Sequence, residues 1–207
     1  MNFDFFQSIN KLVFKYNSYT KLVEGLYLTA IVDSFQRLQK ISPISTLTEN
    51  EIRNNLVYDI ENNNQLLRPY LQKKILKLTK ENTILLSPIQ TKRTDIEFFI
   101  TIRGDFIVEC KKLTSAEQRY VDDGLVRFTE EYYSRSDSEA SMVGFISGGN
   151  ISRIIDGLKI KVVQHNPTPN CQRLLNKLCI KHQYSFHSEH NRKTKLSIMI
   201  HHLFFAL

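Results

Sequence analysis

The chain has 207 residues, of which 42% are hydrophobic and 24% charged, and carries a formal net charge of +7. That length and balance fit one globular domain, or one domain with a helical appendage, and exclude a disordered or fibrous chain. The charge is uneven. Basic and acidic residues balance from Met1 to Gly149, whereas the stretch from Asn150 to Leu207 holds 9 basic residues, 2 acidic ones and all 6 histidines. A basic tract of this kind attracts phosphate backbones.

The N-terminal sequence MNFDFFQSINKLVF has an early Asp4 and no basic or small-residue pattern of a signal peptide, so a cytoplasmic location is expected. Residues Phe3 to Lys40 read as two amphipathic helical stretches, with Leu12, Tyr16, Leu22, Leu26, Ile31 and Phe35 apolar and a cap at Asn17-Ser18. We read residues 1–44 as an N-terminal helical extension packed on a core domain of residues 45–207. Thr48 with Glu51 three residues later has capping-box spacing, and Ile52, Leu56 and Ile60 continue one helix face. Arg68-Pro69 interrupts, Tyr70 to Lys80 resumes as helix, and Thr83 to Leu86 is a short strand.

The stretch TDIEFFITIRGDFIVECKKL, residues 94–113, reads as a hairpin turning at Arg103-Gly104-Asp105. A helix over Ser115–Tyr133, a polar loop over Ser134–Ser141 and a strand over Met142–Ile146 are expected next. A short helix at Ile151–Leu158, a strand at Lys159–Val163, a helix at Leu174–Lys181 and strands at Tyr184–His187 and Leu196–Leu203 complete the chain. The last of these lies in SIMIHHLFFAL, too short and too rich in histidine to span a bilayer. The order implies an α/β architecture, a mixed sheet covered by helices.

The chemistry is concentrated in the hairpin. Side chains alternate along a strand, so Glu109 and Lys111 project from one face and Val108 and Cys110 from the other. Opposite charges ending an apolar strand are expensive unless paired or given an ion. Asp95, opening the facing strand, supplies a second carboxylate, and two hard oxygen ligands from adjacent strands suit Mg²⁺. Asp95 and Glu109 would hold the ion, with the Cys110 carbonyl as a third oxygen, and Lys111 would orient the attacking water or stabilise transition-state charge. A two-residue loop at Arg103-Gly104 would pair Asp95 with Lys112 and turn it away. A three-residue loop, or a bulge near Asp95, would put it on the face of Glu109 and Lys111, and this is the expected register.

With Asp95, Glu109-Cys110-Lys111 and a helix acid at Glu51, the chain resembles the PD-(D/E)XK nuclease superfamily from about Thr48 to Ile146. The family's Pro is replaced by Thr94, and a Gln-x-x-x-Tyr helix motif is not matched, since Gln118 and Tyr120 are two apart. The resemblance implies a restriction-endonuclease-like fold and a Mg²⁺-dependent endonuclease, Mn²⁺ substituting, that cuts DNA in restriction or anti-phage defence. Repair, recombination or RNA cleavage, or an inactive nucleic-acid-binding module, are the alternatives. A homodimer would cut both strands of a duplex, and an ATPase or helicase subunit is a further expected partner. Glu49 or Asp59 could replace Glu51 as the helix acid.

Lys112, Arg119 and Arg127, near the motif, are candidates to touch phosphates. His187-Ser188-Glu189-His190-Asn191-Arg192, with His201 and His202, invites a zinc reading but lacks a cysteine partner or ligand spacing, so His190 and Arg192 are read as groups contacting the nucleic-acid backbone. Cys110, Cys171 and Cys179 form no CxxC pair and are read as small buried hydrophobes, the last two in a helix.

Overall fold

The computed structural model describes residues 3–41, 43–87, 90–100, 103–130, 132–133, 137–165, 171–194 and 196–207. The chain opens with α1 (Phe3–Lys15). Ser18, whose side chain accepts from the Lys21 amide, starts α2 (Tyr19–Leu22), and a π-helical segment over Val23–Leu28 carries it into α3 (Thr29–Ile41). Two helical stretches divided at Asn17-Ser18 are what the apolar spacing predicts.

Thr48 and Glu51 form the full capping box at the head of α4 (Glu49–Asn63). The short α5 (Arg68–Gln72) carries Pro69 in its first turn, where a missing amide is harmless. Here the structure departs from the expected helix over Tyr70–Lys80. Lys74 turns into the left-handed region at φ 57°, and Leu76–Lys80 is a strand, β1, with Leu76 and Leu78 buried and Lys77 exposed. The expected strand after it is β2 (Thr83–Ser87), which pairs only with β3 (Gln90–Arg93) in a separate hairpin.

The predicted hairpin is β4 (Ile96–Ile100) and β5 (Gly104–Leu113), with Gly104 at φ 82°. The helix expected over Ser115–Tyr133 is shorter, a π-helical segment at Val121–Leu125 leading into α6 (Val126–Thr129). Residues 134–136 of the expected polar loop lie outside the described residues, and the loop's end is already strand in β6 (Glu139–Ile146). The helix α7 runs Ile151–Gln164, absorbing the strand expected at Lys159–Val163, because Leu158 and Val162 are buried one turn apart. Cys171–Leu175 is a strand, β7, and Cys179–Lys181 a 3₁₀ turn, where a helix was expected. The late strands are β8 (Ser185–Asn191) and β9 (Ser197–Ala206).

Seven strands form one mixed sheet in the order β1-β4-β5-β6-β9-β8-β7. Strands β1, β4 and β5 are antiparallel, β5, β6 and β9 parallel, and β9, β8 and β7 antiparallel again. Each face carries its own apolar cluster. The first lies under α1 to α4, where Tyr27 stacks on Phe98 at 4.8 Å and Phe35 on Phe205 at 4.2 Å. The second packs Tyr120, Val121, Leu125 and the α7 residues Ile155 and Leu158 against Met142, Phe186 and Phe204. Among the described residues no helix is long and apolar enough to cross a membrane.

Candidate functional site

The hairpin register decides whether the predicted residues meet. Ile100 pairs with Gly104, enclosing three loop residues, and Ile96 pairs with Val108. Continued one step, this register sets Asp95 opposite Glu109: the loop has the expected three residues but ends at Arg103, with Gly104 and Asp105 already in β5, and the even shift keeps Asp95 on the expected face. Asp95 lies just before β4, and its Oδ2 accepts from the Cys110 amide at 2.7 Å, extending the ladder past the strand's end. Lys111 donates from Nζ to Glu109 Oε1 at 2.7 Å. Asp95, Glu109 and Lys111 are therefore gathered around one stretch of β5.

Other elements complete the cluster. Arg127, from α6, donates to Glu109 Oε1 at 2.7 Å, and the Tyr133 hydroxyl lies 3.0 Å from Glu109 Oε2. Arg53, from α4, donates to Asp95 Oδ1 at 2.7 Å and to Glu81 at 2.6 Å. Three of the four carboxylate oxygens thus have an N–H donor; Glu109 Oε2 faces only the Tyr133 hydroxyl, whose one proton is shared with the closer Arg93 carbonyl at 2.6 Å. Glu109 is 0% exposed. Burial pushes its carboxyl up to about 7, Asp95's charge adds to the push, and Lys111 and Arg127 hold it back. Lys111 loses stability as a cation through burial, yet the charge and hydrogen bond of Glu109 outweigh this and keep its pKa above the ordinary value.

The helix acid differs from the one expected. Both the Thr48 amide and its hydroxyl donate to Glu51 Oε2 at 2.8 Å, so Glu51 serves the cap and does not join the cluster. Glu49, two residues earlier and so turned toward β5, accepts from the Lys112 amide at 2.6 Å. Asp59, the other alternative, is buried against Arg37 at 2.6 Å, away from the cluster. Cys110 packs its side chain in the first apolar core, and burial drives its thiol pKa far up, so it offers the main chain alone.

Among the expected phosphate contacts, Arg127 points into the cluster. Lys112 is spent on the carbonyls of Ser45 and Leu47, at 3.0 and 2.7 Å. Arg119 is half-exposed and pairs with Glu117 and the Lys112 carbonyl. His190 is 0% exposed, with Nε2 2.6 Å from the Ser188 hydroxyl. Arg192 is also buried and donates to the Asp137 carbonyl at 2.5 Å. Burial removes His190 and Arg192 from any backbone-contacting surface, which corrects the sequence-based assignment.

Arg53 and Tyr133 have no role in the sequence reading, which sets aside zinc at His187 and His201 for want of a cysteine. Arg53 had a signal, a charge on the buried face of α4 between Ile52 and Leu56. A second cluster lies under the N-terminal helices. His187 and His201 pair directly across β8 and β9, and the 3₁₀ turn brings Cys179 alongside. A nitrogen of each ring and the Cys179 sulfur lie within 4.8 Å of one another. The cysteine partner absent from the sequence pattern is thus supplied by the fold.

Two of the three cysteines are buried as expected, though Cys171 is half-buried on β7. On the second face, His202 bonds Tyr120 and Ser188 at 2.8 and 2.7 Å. Burial, with other nearby histidines, keeps His202 neutral, its pKa well below the ordinary value. No family model, curated protein or solved structure matches this chain, so the candidate site is read from its own geometry.

Proposed function

We propose that this chain is a divalent-metal-dependent phosphodiesterase acting on nucleic acid, a DNA endonuclease with a restriction-endonuclease-like core. The observation that carries this reading is the convergence of Asp95, Glu109 and Lys111 on one stretch of β5. The order of elements supports it. Helix α4, the antiparallel β4–β5 hairpin, the α6 segment and the parallel strand β6 follow one another as the PD-(D/E)XK resemblance expects.

The donor set suits a hard cation. Asp95 and Glu109 offer carboxylate oxygens from neighbouring strands, and Glu49 stands one residue pair further along β5. Bound there, Mg²⁺ or Mn²⁺ would supply Lewis-acid polarisation of a phosphate and a more acidic water. The chain's own groups do the rest. Asp95 and Glu109 are the residues that would hold the ion, and Glu49 orients the Lys112 main chain. Lys111, paired with Glu109, would place a positive charge beside a phosphate bound there as negative charge builds in the transition state. Arg127, 26% exposed on its side chain, is the cation best placed to swing from Glu109 to a substrate phosphate. Each chain holds one such cluster, so cutting both strands of a duplex calls for two copies. A cytoplasmic role in defence, with an ATPase or helicase partner, extends the same reading.

One observation favours a second reading, a nucleic-acid-binding module without catalysis. Three cations already satisfy the two carboxylates, and a charge-compensated cluster is stable without an ion. Incubation with plasmid, single-stranded DNA and RNA separates the two. Cleavage that needs Mg²⁺ or Mn²⁺ and stops with EDTA supports the enzyme; binding without cleavage in either metal supports the module.

A further inference from the structure

From the second cluster we infer that this chain binds a zinc ion through Cys179, His187 and His201, a site separate from the carboxylate cluster and on the opposite face of the sheet. Cys179 is 0% exposed, His201 1% and His187 4%. Among the described residues, His187 Nε2 and His201 Nδ1 are buried and have no hydrogen-bond partner. A buried ring nitrogen left so is costly, and a native fold rarely tolerates two side by side. A cation taking both lone pairs resolves the deficit.

The tautomers agree. The Thr20 hydroxyl donates to Glu139 Oε1 at 2.5 Å, and Glu139 Oε2 lies 2.7 Å from His201 Nε2. With Glu139 accepting on both oxygens, His201 carries its proton on Nε2 and presents a bare lone pair at Nδ1. A carboxylate behind a metal-bound imidazole is the usual outer support of such a ligand, fixing ring orientation and raising basicity. Glu139 is 5% exposed and sits on β6, next to β9, so its placement is fixed by the sheet.

Sulfur and imidazole together select the ion. One thiolate and two neutral imidazoles are borderline-soft donors that suit Zn²⁺ and bind Mg²⁺ or Ca²⁺ poorly, since those ions prefer oxygen. Bond lengths of about 2.0–2.3 Å imply tetrahedral ligand separations of roughly 3.3–3.8 Å, so atoms now within 4.8 Å close by about an ångström. The Cys179 thiol now donates to the Phe186 carbonyl at 3.4 Å and lies 3.9 Å from that of His202. On binding, the S–H bond breaks as the sulfur–zinc bond forms, the proton leaves to solvent, and no electron is transferred. The fourth position falls to a water. The ion would then clamp the 3₁₀ turn to β8 and β9, and through Glu139 and Thr20 to β6 and α2.

The test uses the full chain. Purified protein is expected to carry stoichiometric zinc by elemental analysis, and chelator-stripped protein titrated with CoCl₂ to develop a thiolate-to-cobalt charge-transfer band. Cys179→Ser should abolish that band, Cys171→Ser should leave it, and Glu139→Gln should weaken metal affinity by about 10–100-fold. Because Cys179→Ser could misfold, the stripped wild-type protein is decisive. A folded wild-type chain that develops no cobalt band and holds only trace zinc after reloading overturns the site, as does an unchanged band in folded Cys179→Ser.

Discussion

On one face of the sheet Glu109 is flanked by Lys111, Arg127 and the Tyr133 hydroxyl; on the other, His187 and His201 each keep a buried nitrogen without a hydrogen-bond partner among the described residues. In the first cluster three cations already stand on the two carboxylates. In the second, two buried ring nitrogens are unmet among the described residues. Charge explains the difference. Carboxylates buried in apolar strands need cations beside them, whereas the imidazole and thiol groups are met only in part: His201 Nε2 has Glu139 and the Cys179 thiol the Phe186 carbonyl, which leaves His201 Nδ1 and His187 Nε2 over. The difference teaches that two buried polar clusters in one sheet can leave opposite hydrogen-bond signatures, one with its acceptors met by cations and one with ring nitrogens left over.

Breaking the first cluster should give the largest effects. Lys111→Met keeps the buried volume and removes the charge, and we expect nucleic-acid cleavage to fall by at least about 100-fold with the circular dichroism spectrum unchanged. Wild-type rates in Lys111→Met would remove Lys111 from the mechanism. Arg53→Ala strips Asp95 of its buried cation and should lower unfolding stability by about 3 kcal/mol in urea titrations, far more than the loss of an exposed pair.

A pH series sharpens the same point. The Glu109 carboxyl moves from its ordinary 4.5 to about 7 in the fold. The folded chain therefore holds a proton that the unfolded chain has released. The stability this contributes is full below pH 4.5 and is lost as pH rises through about 7. Glu109→Gln cannot titrate, so the difference between the two proteins should change by up to about 3 kcal/mol across that window. A parallel pair of curves would refute the burial argument. The smallest effect concerns the helix acid. Thr48→Ala should cost about 1 kcal/mol through the lost cap. Glu51→Gln should leave cleavage untouched, while Glu49→Gln should weaken it; the reverse order would restore Glu51 to the site.

Much of the first cluster was legible because it is local. Alternation along FIVECKK and the φ 82° glycine at position 104 fix a hairpin, and the hairpin fixes which side chains meet. The helix cap at Thr48 was equally legible, but not its consequence, that a glutamate in a cap is removed from the site. Elements failed where periods compete. Lys73, Lys74 and Lys77 continue a helical stripe, yet Leu76 and Leu78 alternate as a strand, and pairing with β4 decides. Lys159–Val163 has strand-like branching, but burial of Leu158 and Val162 against the second core makes it helix. The second cluster was illegible for a different reason. Cys179, His187 and His201 have no motif spacing; the β8–β9 register pairs the two histidines and the 3₁₀ turn brings Cys179 to them.

The central claim is hydrolysis at the Asp95–Glu109–Lys111 cluster, and plasmid nicking over time with Mg²⁺, with Mn²⁺ and with EDTA tests it most directly. The account predicts metal-dependent cleavage in wild-type protein, abolished by EDTA and lost in Glu109→Gln. Intact plasmid in every metal, from protein that is folded and binds DNA, would contradict it.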